Sequence, residues 1–516
     1  MLTFFLSRVI IKQVAPTLSH SLAIYIPLFF MVILFSQYEH RLTYTLAWLL
    51  SLMFIVIYLR TRSRSRVVRS MAFMVLCAAL YYAGAGFFLI FTLTALLFEL
   101  LYGRNYLLVI LFLVVTLVLP LLSQNIFVLT TKGAYFYLLL PVYDYRPSLT
   151  PYVLYIYFPL FLIFVKFDVL GRMSRLLSWQ RWTWGSGVLV IILVIVASLV
   201  SFDTSMHRVL KVDALARGEK WQQLLEFVDE HPSDDILVAF QTNRALYHVG
   251  RLSTDMFGYN QNWGLGGLFL PDELRKFFSI QVSDLYWDMG FLNEAEHWAQ
   301  EDHTNFFFSP WHVKRLASTS ILKGNMTLAT MCLDVLEKSI LYRSWAEEYR
   351  TFVEAPQRID RNPHFTYLKT LDVKKDFIIT PANPESDIEM LLKDNPKNRV
   401  AFEFLMADYL LTFRLGEFVE NLQSASHLQS RFWPKHYQEA VLVYLQSTQW
   451  QERKALGKGL SPQTVALFNG FMKILQQHKN DAISAQTAIR KKYGDTYWYY
   501  SMYNNPSMRT KSFQLQ

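Results

Sequence analysis

The chain has 516 residues, of which 53% are hydrophobic and 16% aromatic, with a formal net charge of +9. Before Phe202 only Glu39, Glu99, Asp144 and Asp168 are acidic, against 15 Lys or Arg, so the remainder is slightly negative and all of the positive excess lies in this first part. There it sits between apolar runs, where basic residues orient helices in a bilayer, and not on a folded basic face; this excludes nucleic acid as the expected partner.

A helix needs about 20 mostly apolar residues to cross a bilayer. Runs that approach this lie at 22–36, 43–59, 106–122, 152–167 and 187–202. Two further stretches are open to more than one reading. Residues 70–101 form either a hairpin turning at "AGAG" or one span with an interfacial segment, and 126–142 either spans or re-enters. The first run follows Arg8 and Lys12 without a small-x-small site after it, and is expected to be an uncleaved anchor.

The charged loops orient these runs. "RTRSRSRVVR" (60–69) and the loop carrying Arg172 and Arg175 are expected on the cytoplasmic side. Passing from one to the other takes an even number of crossings. Both solutions give seven spans, a cytoplasmic N-terminus, and everything after Asp203 on the non-cytoplasmic side.

From Met206 the pattern changes to apolar residues at three- and four-residue spacing, with one short strand-like stretch, "KDFIITP", around Ile378. A helix–glycine–helix outline recurs around Gly218, Gly250, Gly290, Gly324 and Gly416, the first four spaced by 32, 40 and 34 residues. Ala295 and Ala329 each follow their glycine by five positions. A glycine ends a helix in the left-handed conformation at least cost, and the alanine suits two helices crossing closely. Hairpins of this period stack into tetratricopeptide-like solenoids. The expected fold is therefore all-α: a bundle of about seven transmembrane helices (1–202), helical repeats (203–353), a proline-rich irregular linker (354–395) and further hairpins (396–516). Ser461 and Pro462 mark the start of a helix in the last part.

Candidate sites are few. Glu294, His297 and Glu301 have the spacing of carboxylate–histidine metal ligands, but no second Glu-x-x-His copy accompanies them, so a solvated helix face is expected and no metal. Cys77 and Cys332 lie in apolar or helical runs and form neither a disulfide framework nor a metal site. "GLGG" (264–267) lacks the Lys-Ser/Thr end of a phosphate loop, and no cofactor is expected. Around it, Tyr259, Asn260, Asn262 and Trp263 form a possible ligand or partner surface, since aromatic and amide groups suit sugars or peptides. "NFFFSPWH" (305–312) is a similar aromatic loop, and "NMT" at Asn325 matches a glycosylation acceptor in a helical turn. In the first part, "YEHR" (38–41) and "YDYRP" (143–147) fall on the same outer face, which makes Glu39 and Asp144 the candidates to accept a proton from an acceptor hydroxyl, and Arg146 the candidate to hold the phosphate of a lipid-linked sugar.

The stretches "YYAGAGFFLIFTLTALLFEL", "MGFLNEAEHWAQE", "NPKNRVAFEFLMADYLL" and "HYQEAVLVYL" resemble an uncharacterised family of bacterial, Bacteroidota-type polytopic membrane proteins with a tetratricopeptide-like C-terminal half, a domain of unknown function. The resemblance implies an inner-membrane location and relatives with additional membrane and outer-loop sequence at the start; it transfers no catalytic motif. The expectation is a membrane protein that presents a helical-repeat platform to the periplasm, with the lipid bilayer and a protein as partners, in envelope assembly or transport. The alternative is a glycosyltransferase using lipid-linked sugar, active or decayed, with a solenoid that grips the acceptor.

Overall fold

The structure is a computed structural model and describes residues 2–16, 25–36, 38, 42–126, 130–137, 139, 150–167, 183–306, 309–371, 373, 384–424, 432–446, 456–478 and 481–504. Among these residues every regular element is helical. "KDFIITP" lies outside them. The chain divides into two compact units, Met1–His207 and Arg208–Gln516.

The first unit contains α1 (Leu2–Val14), α2 (Ile26–Ser36), α3 (Leu42–Leu59), α4 (Arg66–Gly84), α5 (Phe88–Phe98), α6 (Tyr106–Ile126), α7 (Thr131–Phe136), α8 (Thr150–Lys166) and α9 (Thr183–Ser201). Three helical segments, Leu42–Leu59, Arg66–Gly103 and Tyr106–Gln124, are long and apolar enough to cross a bilayer, or up to four when one bent pair is counted as a single span. This fits a membrane protein. It falls short of the expected seven because α2, with 11 residues, and the 16-residue Pro151–Lys166 are shorter than a full crossing.

The 38-residue segment Arg66–Gly103 is not one straight rod. A straight helix would hold Arg69 and Glu99 about 45 Å apart at 1.5 Å per residue. Instead the Arg69 guanidinium pairs with the Glu99 carboxylate, and Phe73 stacks on Phe91 with ring centres 5.6 Å apart. The chain turns back at Ala85–Phe87, where Ala85 has φ 44°. Gly86 is required there. Its N–H donates to the Tyr137 carbonyl at 2.8 Å, and a Cβ would lie 2.7 Å from that oxygen. Tyr137 follows α7, a helix of six residues, which at about 9 Å is too short to span. The described part of 126–142 therefore packs against the turn of the α4–α5 hairpin.

An aromatic core formed by Trp48, Tyr58, Phe73, Phe91, Phe98 and Phe112 fills this unit. The outer surface is also apolar: Leu107, Ile110, Leu117 and Leu122 on α6, and Ile191, Ile195, Leu199 and Val200 on α9, are all exposed. Helices apolar on both the packed and the open face suit a lipid environment.

The boundary between the units falls within α10 (Thr204–Arg217). The second unit continues with α11 (Trp221–Glu230), α12 (Ile236–His248), α13 (Ser279–Asp288), α14 (Leu292–Phe306), α15 (Pro310–Leu322), α16 (Met326–Glu337), α17 (Arg343–Glu354), α18 (Pro363–Thr370), α19 (Pro384–Asp394), α20 (Arg399–Leu411), α21 (Leu415–Ser424), α22 (Lys435–Tyr444), α23 (Pro462–Gln477) and α24 (Ala482–Tyr493). α20 is buried from Val400 to Leu411 and α12 through all but its last two residues, as befits central helices.

One closure recurs at five hairpins. A backbone N–H reaches back five residues to a carbonyl: Lys220 to Leu215, Arg251 to Leu246, Phe291 to Tyr286, Asn325 to Ser320, and Arg414 to Tyr409. The residue before each donor is left-handed, as the Schellman motif demands. Gly250, Gly290 and Gly324 fill that place. At the other two hairpins the expected glycine does not: Glu219, not Gly218, and Phe413, not Gly416, take the positive φ. There the helix ends one residue later, or three residues earlier, than the glycine marks. Ala295 and Ala329 are fully buried, and Ser283 Oγ donates to the Ala295 carbonyl at 2.5 Å, a close approach of α13 to α14.

The described part of 354–395 is helical rather than irregular: a turn at Pro356–Arg361, then α18 and α19. Its prolines start helices and do not break them. Asn362 caps α18 by accepting from the Phe365 N–H, with Pro363 in the first position. Asn325 likewise caps α16, accepting from Leu328 N–H at 3.2 Å, which accounts structurally for the asparagine of "NMT". Ser461 caps α23 with Pro462 at its start.

Candidate ligand groove

Within the second unit a cavity of about 380 Å³ opens between the hairpins. Each wall helix supplies residues three or four apart, one face per helix: Arg244 and His248 from α12; Asp284, Trp287 and Asp288 from α13; Trp311, Lys314, Arg315 and Ser318 from α15; Trp345 and Tyr349 from α17. Arg217, Glu219 and Trp221 enter from the α10–α11 turn, and Asn362 and His364 from the start of α18. A second cavity of about 470 Å³ shares His248, Asp288 and His364 and extends to Tyr367, Lys397 and Arg399.

The floor is a fixed ionic network. Arg244, with 4% of its side chain exposed, places Nη2 2.8 Å from Asp288 Oδ2. Its Nε donates to the same oxygen at 2.9 Å, and its Nη1 donates to Gln241 at 2.8 Å. His248 Nε2 lies 3.2 Å from that carboxylate. Burial alone would raise the pKa of Asp288, but Arg244 and His248 outweigh it and hold the carboxyl well below its ordinary range. Asp284 accepts from Arg315 Nη2 at 2.6 Å. Both aspartates of the lining are thus occupied by arginine, which suits a rigid binding wall better than a general base.

Aromatic rings and cations alternate above this floor. Trp221 stacks on His248, with centres 4.2 Å apart and planes within 4°. The Arg315 guanidinium lies 4.3 Å from the Trp287 ring centre, Arg217 lies 5.0 Å from Trp311, and Trp345 stacks on Tyr349 at 3.8 Å. Trp287 Nε1–H donates to His364 Nε2 at 3.1 Å, which requires that nitrogen to be unprotonated. Burial lowers the pKa of His364 and favours the same neutral form.

The surface expected at Tyr259, Asn260, Asn262 and Trp263 lies elsewhere. These residues gather on the 229–234 stretch: Tyr259 Oη donates to Asp229 at 3.3 Å, Asn260 Nδ2 and Asn262 Nδ2 donate to Asp234 Oδ1, and Trp263 Nε1 donates to the Asp234 carbonyl at 2.6 Å. They clasp two loops together, and none lines either cavity. Glu39, Asp144 and Arg146 lie outside the described residues. No group of three or more His, Cys, Asp or Glu able to hold a metal occurs among the described residues, the Glu294–His297–Glu301 stretch included. Both cysteines are free and buried. The groove itself was not read from the sequence, although Trp311 belongs to the aromatic loop singled out there; its signal is a tryptophan recurring on the inner face of successive hairpins.

Fold and groove together define an all-helical protein with bilayer-length apolar helices and a hairpin unit that carries an aromatic, charged cavity. Over residues 1–504 the chain matches a family described as "Family of unknown function (DUF6057)", and it belongs to that family. No curated protein matches it, and no solved structure does.

Proposed function

We propose that this is a multi-pass protein of the bacterial inner membrane that presents a tetratricopeptide-like hairpin array to the periplasm as a binding platform in envelope assembly or transport. The groove is the observation that carries this reading: rigid ionic floor, aromatic walls and an open mouth are the features of a recognition site. In this proposal the seven crossings run along α2, α3, α4, α5, α6, α8 and α9, of which α2, α5 and α8 are helical for less than a full crossing, and the N-terminus is cytoplasmic.

The ends of the first unit support that orientation. Arg62 lies over Phe98, its guanidinium 5.8 Å from the ring centre, and Lys166 lies 5.4 Å from the Tyr102 ring centre, so the arginine-rich loop and the end of α8 share one face. Positive residues gathered on one face favour the cytoplasmic side. At the far end of α3 the Asp203 N–H donates to the Ser36 carbonyl at 3.0 Å, so α2 and α9 finish together, as an even number of crossings between the two charged loops requires.

A photo-crosslinking residue in place of Tyr349, in the groove, tests the platform in the native membrane. The expected result is a discrete adduct identified by mass spectrometry, with none from the same residue in place of Ile483, an exposed position outside the groove. Equal labelling at both positions, or none at either, contradicts the reading. The alternative, a lipid-linked-sugar transferase, draws support from the sugar-compatible tryptophans as an acceptor grip; its acid–base candidates are Glu39 and Asp144.

A further inference from the structure

We infer that the groove of the second unit takes an acidic saccharide, its anionic group seated at Lys314. The inference rests on the groove being a binding site, as proposed above, and adds the chemistry of its occupant.

Lys314 is the first observation. Its Nζ lies 4.9 Å from the ring centre of Trp311 and 4.7 Å from that of Trp345, between two indoles. No carboxylate lies within ion-pairing distance of it among the described residues. Burial, and then the neighbouring Arg315, press its ammonium toward the neutral form, against the weaker opposing pull of the Glu219 and Asp284 carboxylates. A cation held in this way gains from an arriving anion. Arg315 is the second observation: its Nη2 is committed to Asp284, while its Nε is buried with no acceptor. Two neighbouring cations thus line the cavity, and the Lys314 ammonium, without a carboxylate in ion-pairing distance, is the one a carboxylate or phosphate oxygen would meet.

The tryptophans decide between classes of anion. Indole faces that flank a cation match a pyranose ring, which offers a C–H face for stacking and hydroxyls at its edge for groups such as Asn362. A peptide held in extended form pairs with an open strand edge. The walls of this groove are helices and helix-end turns, and no strand lies among its lining residues. The second cavity adjoins through His248, Asp288 and His364 and brings Lys397, so the groove has length for more than one sugar ring and further positive charge along it.

The test uses the full chain in lipid nanodiscs, with tryptophan fluorescence and calorimetry. The probes are trigalacturonate, maltotriose and hexaglutamate. Trigalacturonate is expected to shift tryptophan emission and to bind at least about tenfold more tightly than maltotriose. Lys314→Gln removes the charge, keeps a polar side chain one atom shorter and breaks no ion pair; it is expected to weaken trigalacturonate by about tenfold or more and maltotriose much less. Trp345→Leu is expected to weaken both sugars. Hexaglutamate binding as tightly as trigalacturonate and competing with it overturns the saccharide in favour of an acidic peptide. Equal affinity for maltotriose, or no change on Lys314→Gln, overturns the role of the cation. No saccharide binding, together with a specific Tyr349 adduct, overturns this inference and leaves the platform standing; absence of both removes both.

Discussion

Gly290→Ala should be the most damaging of the hairpin glycine substitutions, and the reason can be separated into two parts. Gly250, Gly290 and Gly324 have φ of 72°, 73° and 75°, so each pays the same backbone penalty when a Cβ is added, about 1–2 kcal/mol. Their surroundings differ. Nothing lies within 4 Å of a Cβ at Gly250 or Gly324, whereas one at Gly290 would meet Leu371 Cβ at 2.3 Å and Leu371 O at 3.2 Å. That overlap adds the cost of forcing apart a packed contact, about 1–3 kcal/mol. The expected losses are about 1–2 kcal/mol for Gly250→Ala and Gly324→Ala and about 2–5 kcal/mol for Gly290→Ala. Denaturant unfolding of the full chain, followed by tryptophan fluorescence, measures all three. Truncating Leu371 to Ala should not rescue Gly290→Ala, because the overlap is with its Cβ. Equal losses at the three glycines, or rescue by Leu371→Ala, refutes the reasoning.

Two further outcomes follow from the buried charges. The Asp288 carboxyl is held below its ordinary value, so the stability it contributes is complete above about pH 4 and is lost as pH falls through the ordinary aspartate range and below. Asp288→Asn should remove this acid-side dependence and, by leaving Arg244 without its main counter-ion, lower stability by about 3–5 kcal/mol at neutral pH; unchanged unfolding curves between pH 3 and 7 would contradict both. In the first unit Glu99 is fully buried, receives the Tyr58 hydroxyl and pairs with Arg69. Glu99→Gln should lower the thermal stability of the detergent-solubilised protein by the equivalent of about 3–5 kcal/mol, with the double change Arg69→Met, Glu99→Gln less harmful than Glu99→Gln alone. Additive losses would show that the two groups act independently.

The helical hairpins are legible in sequence because a left-handed closure favours one residue type. Gly250, Gly290 and Gly324 announce it, while Glu219 and Phe413 occupy the same place unannounced, because the backbone bond to the carbonyl five residues back fixes the position and glycine only eases it. Prolines mislead for the opposite reason: Pro356, Pro363 and Pro384 read as breakers, yet each begins a helical element, where the missing N–H costs nothing. The groove is hidden for a geometric reason. Its lining comes from Ala216 to His364, a few residues per helix, and Trp287 or Lys314 alone looks like any packed side chain until the hairpins bring them to one cavity. Tyr259 and Trp263 drew attention by composition, but their polar groups are consumed in holding the 229–234 stretch.

The side of the membrane on which the groove opens is the central claim, and cysteine accessibility tests it most directly. Cys77 and Cys332 are both buried, so Ile340→Cys and Ile483→Cys, at positions 95% and 79% exposed, give labels with little background. In intact spheroplasts a membrane-impermeant maleimide should label both variants at once, and opening the membrane should add nothing. Labelling that appears only after the membrane is opened would put the hairpin unit in the cytoplasm and contradict the account.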